Sequence, residues 1–287
     1  MPALSLDQLA ESVNEIPPMP AVAVRTMQMT TDPNVGPREL AAVVSADVAL
    51  SARVLRIANS AYYGMPRKIS TVSEAVLLLG MKAMHSLAVA AAAYDTLAKN
   101  LDGYGLPSGE LWRHSVSCGV AAQVIARRTR AVATEEAFTA GLLHDVGKVI
   151  LSIYVAQQMQ AILALVELEE CPFYAAERTV LGFDHADVGS RVAERWNLPA
   201  PLCQAIRGHH EPQACDPLDA LTAVVHVANS VCHREGIGLR LLGPQESVAE
   251  IALERLKMDR ASIDDVASEM AEHLRKSDNV ANMMRVA

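Results

Sequence analysis

Apolar residues recur along this chain at helical rather than strand spacing. From Leu50 they fall at Leu50, Val54, Ile57, Ala58 and Ala61, one face of a helix. The following Thr71-Val72-Ser73-Glu74 run carries a helix-start signal, because a Thr hydroxyl and a carboxylate three residues later can satisfy orphan backbone donors. The helix it opens is expected to bury Val72, Ala75, Val76, Leu79 and Ala83. Near the C-terminus, Ser262 is expected to cap a helix with the stripe Ile263, Val266, Ala267, Met270 and Leu274. No convincing alternation of apolar and polar residues appears, so the pattern predicts an all-α fold.

Turn-forming residues divide this pattern. Ile16-Pro17-Pro18-Met19-Pro20 forms a rigid lead-in to the first helical block. Asn100 to Gly109 holds three glycines and a proline in ten residues, the strongest break in the chain. A single core stops growing at roughly 250–300 residues, so 287 residues predict two packed helical lobes. The expected lobes are residues 1–105 and 106–287, with the helices after Gly243-Pro244 capping the second. Further loops are expected from Glu211-Pro212 to Pro217 and from Glu235 to Pro244.

Composition agrees with helices. Apolar residues make up 51% of the chain but aromatics only 4%, so Ala, Leu, Val and Met must fill the core, and Ala-rich segments favour helix. The net charge of −8 argues against general electrostatic binding of nucleic acid. The basic cluster Arg127-Arg128-Thr129-Arg130 reads as a solvated helix end. Five dispersed cysteines without a C-x-x-C pair suggest neither a zinc ribbon nor a disulfide framework. No basic n-region leads an apolar core, and apolar stretches read as too short or too interrupted by charge to span a bilayer, so the expected location is the cytoplasm, away from membranes.

The second lobe holds an ordered series of metal-capable side chains. Glu110 and His114, four apart, share a helix face; His144-Asp145, His185 and His209-His210 follow. Imidazole and carboxylate together suit first-row transition metals, with no thiolate expected to compete. A carboxylate between two cations can bridge them for attack on phosphate esters. Each signal alone also fits a plain role: a core histidine, or a His-Asp pair at a helix end. Convergence would decide between them. Lys148 reads as a group that steadies a phosphate oxygen or as a residue near a helix end. Trp112 and Trp196 read as core anchors, and Asn59-Ser60 as a helix terminator rather than, with Arg53 and Arg56, a binding surface.

Leu143-His144-Asp145-Val146-Gly147-Lys148, with His114 before it and His209-His210 after, resembles the HD superfamily of metal-dependent phosphohydrolases. The stretch from Asp47 to Gly64, ending Asn59-Ser60-Ala61-Tyr62-Tyr63-Gly64, with Ile69 to Val72 and Ala75 to Gly80, is more specifically similar to the HDOD (HD-related output domain) family. Pro17 to Pro20, Asp184 to Gly189, Trp196 to Pro199 and Val225 to Asn229 extend the likeness over roughly residues 15–235. The resemblance implies an HD-like helical bundle in the second lobe, with His114, His144 and Asp145 as metal ligands. The bimetallic HD-GYP phosphodiesterases add histidines that His185, His209 and His210 match, and sometimes a Glu like Glu110. The last HD aspartate falls on Asn229, a weaker neutral ligand, and Pro212-Gln213-Ala214-Cys215 stands where a Gly-Tyr-Pro signature would follow.

These features lead to the expectation of a bacterial signalling and regulatory module. It would act through a protein partner or a small nucleotide-like ligand, without turnover. The alternative is a metal-dependent phosphohydrolase acting on a nucleotide or cyclic dinucleotide, with Lys148 on the phosphate. The metal implied is iron or manganese.

Overall fold

The computed structural model describes residues 19–59, 63, 65–238 and 247–283. Its helices are α1 (Ala21–Thr31), α2 (Pro37–Ser45), α3 (Val48–Ala58), α4 (Val72–Leu97), α5 (Glu110–Thr129), α6 (Thr134–Leu143), α7 (Lys148–Glu169), α8 (Phe173–Leu181), α9 (His185–Arg195), α10 (Ala200–Gly208), α11 (Ala220–Arg234), α12 (Glu250–Leu256) and α13 (Ala261–Met283). No strand forms among the described residues, as the periodicity predicts. Two compact units emerge: one holds Met19–Asp95 and the end of α13 from Met270, the other Thr96–Glu269.

In the first unit, α1 to α3 bury Ala23, Met27, Leu40, Val44, Leu50, Val54 and Ile57. Asp47 caps α3 by accepting from the Leu50 amide at 2.9 Å. At the other end, Asn59 Nδ2 donates to the carbonyls of Leu55 and Ile69, both at 2.8 Å, and its Oδ1 accepts from Ile69 N at 2.7 Å. Both donors and one acceptor position on this amide close the helix and pin the next loop. Arg53 turns to Asp95 at 2.7 Å and the Ala91 carbonyl at 3.2 Å. Ile16-Pro17-Pro18, Ser60, Ala61, Tyr62, Gly64 and the Leu239–Pro244 part of the third expected loop lie outside the described residues.

Helix α4 starts close to expectation. Thr71 Oγ1 accepts from Glu74 N at 3.1 Å, while the Glu74 carboxylate takes the amide of Ser70, not Thr71, at 2.9 Å. Val72, Ala75 and Val76 are buried, but Leu79 and Ala83 are only half-buried. The reason is Gly80, whose φ of 84° and ψ of 166° interrupt the helix and re-phase its buried side to Met84, Leu87, Ala88 and Ala91.

The second unit is built around α5, buried over most of its circumference and packed against α6 and α11. Trp112 and Trp196 are core residues here. Asp184 and Asp219 cap α9 and α11 through the amides of Asp187 and Thr222. At the exposed end of α5, Arg127 and Arg128 pair with Glu269 and Asp265 on α13 at 3.1–3.2 Å. Ser262 is not the cap of α13. It lies in the first turn, and Asp259 accepts from its amide at 2.8 Å and its hydroxyl at 2.5 Å. The expected stripe holds: Ile263, Val266, Ala267 and Met270 are buried and Leu274 is half-buried.

Two helical stretches, Val72–Leu97 and Thr134–Glu169, are long and apolar enough to cross a membrane by length and composition alone. That corrects the expectation that length or charge disqualifies every apolar run. The second stretch is interrupted by the His144–Gly147 turn between α6 and α7.

Candidate metal centre

Four stretches of chain deliver the candidate ligands. His114 stands on the second turn of α5, His144-Asp145 on the turn between α6 and α7, His185 at the start of α9, and His209-His210 just beyond α10. The turn lies hard against α9 because Gly147 has no side chain. A Cβ there would stand 2.0 Å from the His185 carbonyl oxygen and 2.5 Å from Gly189 N.

One ring nitrogen of each of four histidines is committed to an oxygen acceptor. Nδ1 of His114 donates to Ile237 O at 3.0 Å, His144 to Gly141 O at 2.7 Å, His209 to Ile206 O at 2.6 Å and His185 to Glu177 Oε2 at 2.6 Å. The Nε2 atoms therefore turn inward, onto Asp145. Its Oδ2 lies 3.4 Å from His114 Nε2 and 3.5 Å from His144 Nε2. Its Oδ1 lies 3.3 Å from His185 Nε2 and 3.9 Å from His209 Nε2. His210, stacked on Tyr174 with centroids 4.3 Å apart, brings its Nε2 within 2.7 Å of His185 Nε2.

Electrostatics sort these groups. Burial pushes the His144 imidazole down to about 4 and those of His209 and His210 well below their ordinary value, so all three are neutral. Burial is the largest influence on His185 and opposes its charge too, but the Glu177 and Asp145 carboxylates together outweigh it and raise that ring to about 9. A cationic His185 donates both its protons, to Glu177 and to His210. Burial also opposes charge on Asp145, yet His144, Lys148, His114 and His185 hold its carboxyl well below the usual range. The Lys148 ammonium lies on Asp145 Oδ2 at 2.6 Å and 5.9 Å above the Tyr104 ring.

Three groups important here escaped the sequence. Glu177, fully buried on α8, takes the Tyr104 hydroxyl on Oε1 at 2.5 Å and both the backbone amide (3.1 Å) and Nδ1 of His185 on Oε2. Leu101 and Leu106 exchange two backbone hydrogen bonds that close the loop carrying Tyr104. In sequence Glu177 stands beside Arg178 and Thr179 and gave no signal of burial. Because it satisfies three buried donors, Glu177→Leu is expected to cost about 3 kcal/mol in urea unfolding, and Glu177→Gln distinctly less. Equal stability of the Leu variant and the parent protein would rule out this bracing role.

The third is Cys118, one turn beyond His114 on α5, with Sγ 3.6 Å from His114 Nε2 and 3.9 Å from the Asn229 amide oxygen. A thiol therefore does stand among the imidazoles, contrary to expectation. Burial, with Cys232 and Asp145 beside it, pushes its pKa well up. Glu110 pairs with Arg113 at 2.8 Å and belongs to none of the donor clusters among the described residues. Those clusters are His114/Cys118/His144, His144/Asp145/His209 and His185/His209/His210.

This donor set suits a cation. His144 Nε2, Asp145 Oδ1 and His209 Nε2 are buried acceptors with no hydrogen-bond donor among the described residues. Such groups are costly to leave unmatched, and ligand atoms on one metal at about 2.1 Å lie about 3 Å or slightly more apart, close to the spacings here.

Comparison with known proteins places these features in context. The sequence profile of the HDOD domain matches residues 16–212. An uncharacterised protein of Treponema pallidum (strain Nichols) is 28% identical over 226 residues, covering 77% of this chain and 43% of that protein. The chain thus spans less than half the length of this curated relative. An HDOD domain protein of unknown function from Geobacter sulfurreducens has the same fold, with a TM-score of 0.76, 26% identity and coverage of 96% of this chain and 98% of its own. A candidate signal transduction protein from Marinobacter aquaeolei VT8 aligns with a TM-score of 0.77 at 22% identity, over 97% of this chain and 65% of its own. A candidate phosphohydrolase from Shewanella amazonensis SB2B gives 0.72 at 22%, over 96% and 97%. At 22% identity the last two share the fold alone.

Proposed function

The chain belongs to the HDOD domain family, and on that premise we propose that it is a bacterial, cytoplasmic signalling module that binds a protein partner or a small nucleotide-like ligand without turnover. Its His-Asp cluster holds a divalent transition metal in a structural or sensing role. His114, His144, Asp145, His185, His209 and His210 are the residues that would hold it, His185 giving up its Nε2 proton to do so, and the ion would supply the positive charge that the inward-facing acceptors need. Closure of the cluster carries this reading. His144 and His209 are 0% exposed, Asp145 1% and Lys148 4%, with the lysine covering the carboxylate. Structural metal sites are closed in this way, whereas catalytic ones keep a position open for substrate or water.

A metal-dependent phosphohydrolase acting on a nucleotide or cyclic dinucleotide is the second reading. It is favoured by the Asp145 carboxylate, whose Oδ2 faces His114 and His144 and whose Oδ1 faces His185 and His209, an arrangement that suits a carboxylate bridging paired cations. On this reading Lys148 would leave Asp145 to steady a phosphate oxygen.

Elemental mass spectrometry on untagged protein, purified without chelators, separates the readings. Near-stoichiometric first-row metal is expected, at background level in a folded His144→Ala variant, with no hydrolysis of cyclic dinucleotides. Hydrolysis that tracks metal content would install the second reading, and a folded, metal-free parent protein would remove the metal role. Asn229→Asp adds a carboxylate beside Cys118 and is expected to strengthen metal retention against a chelator about tenfold. Unchanged retention would mean that this position does not face the ion.

A further inference from the structure

We infer that Cys118 is itself a metal ligand, so that the His114–His144 side of the centre is a mixed nitrogen–sulfur site selecting zinc or another thiophilic ion over manganese. The inference rests on the metal-binding reading above and names which ion that site takes.

Three observations carry it. First, spacing on α5 places His114 and Cys118 one turn apart on one helix face, with Nε2 and Sγ 3.6 Å from each other. A tetrahedral ion with bonds of about 2.0 Å to nitrogen and 2.3 Å to sulfur holds such atoms about 3.5 Å apart. Second, the donor atoms of His114, Cys118 and His144 all lie within 4.8 Å of one another. His144 Nδ1 is taken by Gly141 O, so its contribution is Nε2, which is buried and has no hydrogen-bond partner among the described residues. Third, α11 brings an amide, not a carboxylate, to this side. Asn229 Oδ1 meets the Cys118 sulfur at 3.9 Å.

Charge explains why the thiol matters. With an imidazole at His144, an amide at Asn229 and the Asp145 carboxylate shared with the other side, these groups offer a dication little negative charge. A thiolate at Cys118 supplies the charge that Asn229 does not. On binding, the S–H bond of Cys118 breaks, a sulfur–metal bond forms and the proton leaves to solvent, one per ion. Cys232, a second buried thiol on α11, is hydrogen-bonded to Cys118 and remains as a neighbour to the thiolate. Thiolate ligands favour zinc over manganese, which prefers oxygen donors.

Cobalt(II) tests this in the full chain after chelator treatment. An intense near-ultraviolet sulfur-to-cobalt charge-transfer band is expected on titration. Cys118→Ser should abolish it while cobalt stays bound through His144, Asp145 and His209. Cys203→Ser, which alters a thiol bonded to the Leu198 carbonyl, should leave it unchanged. Competition by direct metal analysis is expected to favour zinc over manganese at least about 100-fold in the parent protein, falling at least tenfold in Cys118→Ser. Cobalt bound without the band overturns the inference and leaves the metal reading standing, and no cobalt bound overturns both. A band that survives in Cys118→Ser assigns it to another thiol and also overturns the inference. If that variant does not fold, X-ray absorption on the zinc-loaded parent protein decides: a sulfur scatterer at about 2.3 Å supports the ligand, and nitrogen and oxygen alone overturn it.

Discussion

Gly147→Ala is expected to destabilise the unit carrying the His-Asp cluster by more than about 3 kcal/mol. The new methyl would stand 2.0 Å from the His185 carbonyl oxygen and 2.5 Å from Gly189 N. Both obstacles are backbone atoms in the first turns of α9, so no side-chain rotation can make room. Relief requires moving the turn or the helix, and either displaces members of the cluster: His144 and Asp145 on the turn, His185 on the helix. Gly182→Ala is a useful comparison, because its φ of 89° is unfavourable for alanine but no atom of the described residues lies within 4 Å of the new methyl. That substitution should cost only about 1 kcal/mol, through backbone strain alone. Urea unfolding followed by circular dichroism measures both. If Gly147→Ala proved no worse than Gly182→Ala, the close packing of turn and helix would be wrong.

Asp145→Ala in chelator-treated protein is expected to cost about 3–5 kcal/mol, because it strips a buried cation of its partner. Lys148 is 4% exposed, with its ammonium 2.6 Å from Asp145 Oδ2. His185 is also cationic but keeps Glu177. Once the carboxylate is gone, the stranded ammonium carries most of the penalty. The double variant Asp145→Ala/Lys148→Met should therefore recover at least half of the loss. A double-mutant cycle reads this directly, and simple additivity would falsify the pairing. Saturating zinc adds a second readout. It should raise the melting temperature of the parent protein by linkage and leave Asp145→Ala unmoved.

These expectations draw unequally on sequence and on packing. Helices α3 and α13 were legible almost residue by residue, because their stripes at Leu50, Val54 and Ile57 and at Ile263, Val266, Ala267 and Met270 follow a period set within single turns. The start of α4 at Thr71 was legible for the same reason, and Asn59 matched the helix-ending role its side chain suggests. Where local reading failed, a nearby competitor had prevailed. Asp259 took the capping bonds assigned to Ser262, and Gly80 broke a helix whose apolar pattern looked continuous.

The candidate ligand series His114, His144, Asp145, His185, His209 and His210 was visible as residues and as a family resemblance. Whether the six meet was not, because they come from four stretches of chain, and meeting depends on how α5, α9 and α10 pack on one short turn. Cys118 could have been noticed four residues beyond His114 on the same helix face. Glu177 gave no such signal, since its three partners come from the Tyr104 loop and α9. Lys148 shows the division most clearly. Its place three residues after Asp145 put the two within reach, but burial made that ion pair its resting state. Sequence alone specified the helices, their periodic faces and the chemical types available, because those depend on interactions spanning three or four residues. Only the tertiary structure decided which nitrogen of each histidine faces Asp145, which cation answers its charge and how tightly the cluster is closed, because those depend on long-range packing and exclusion of water.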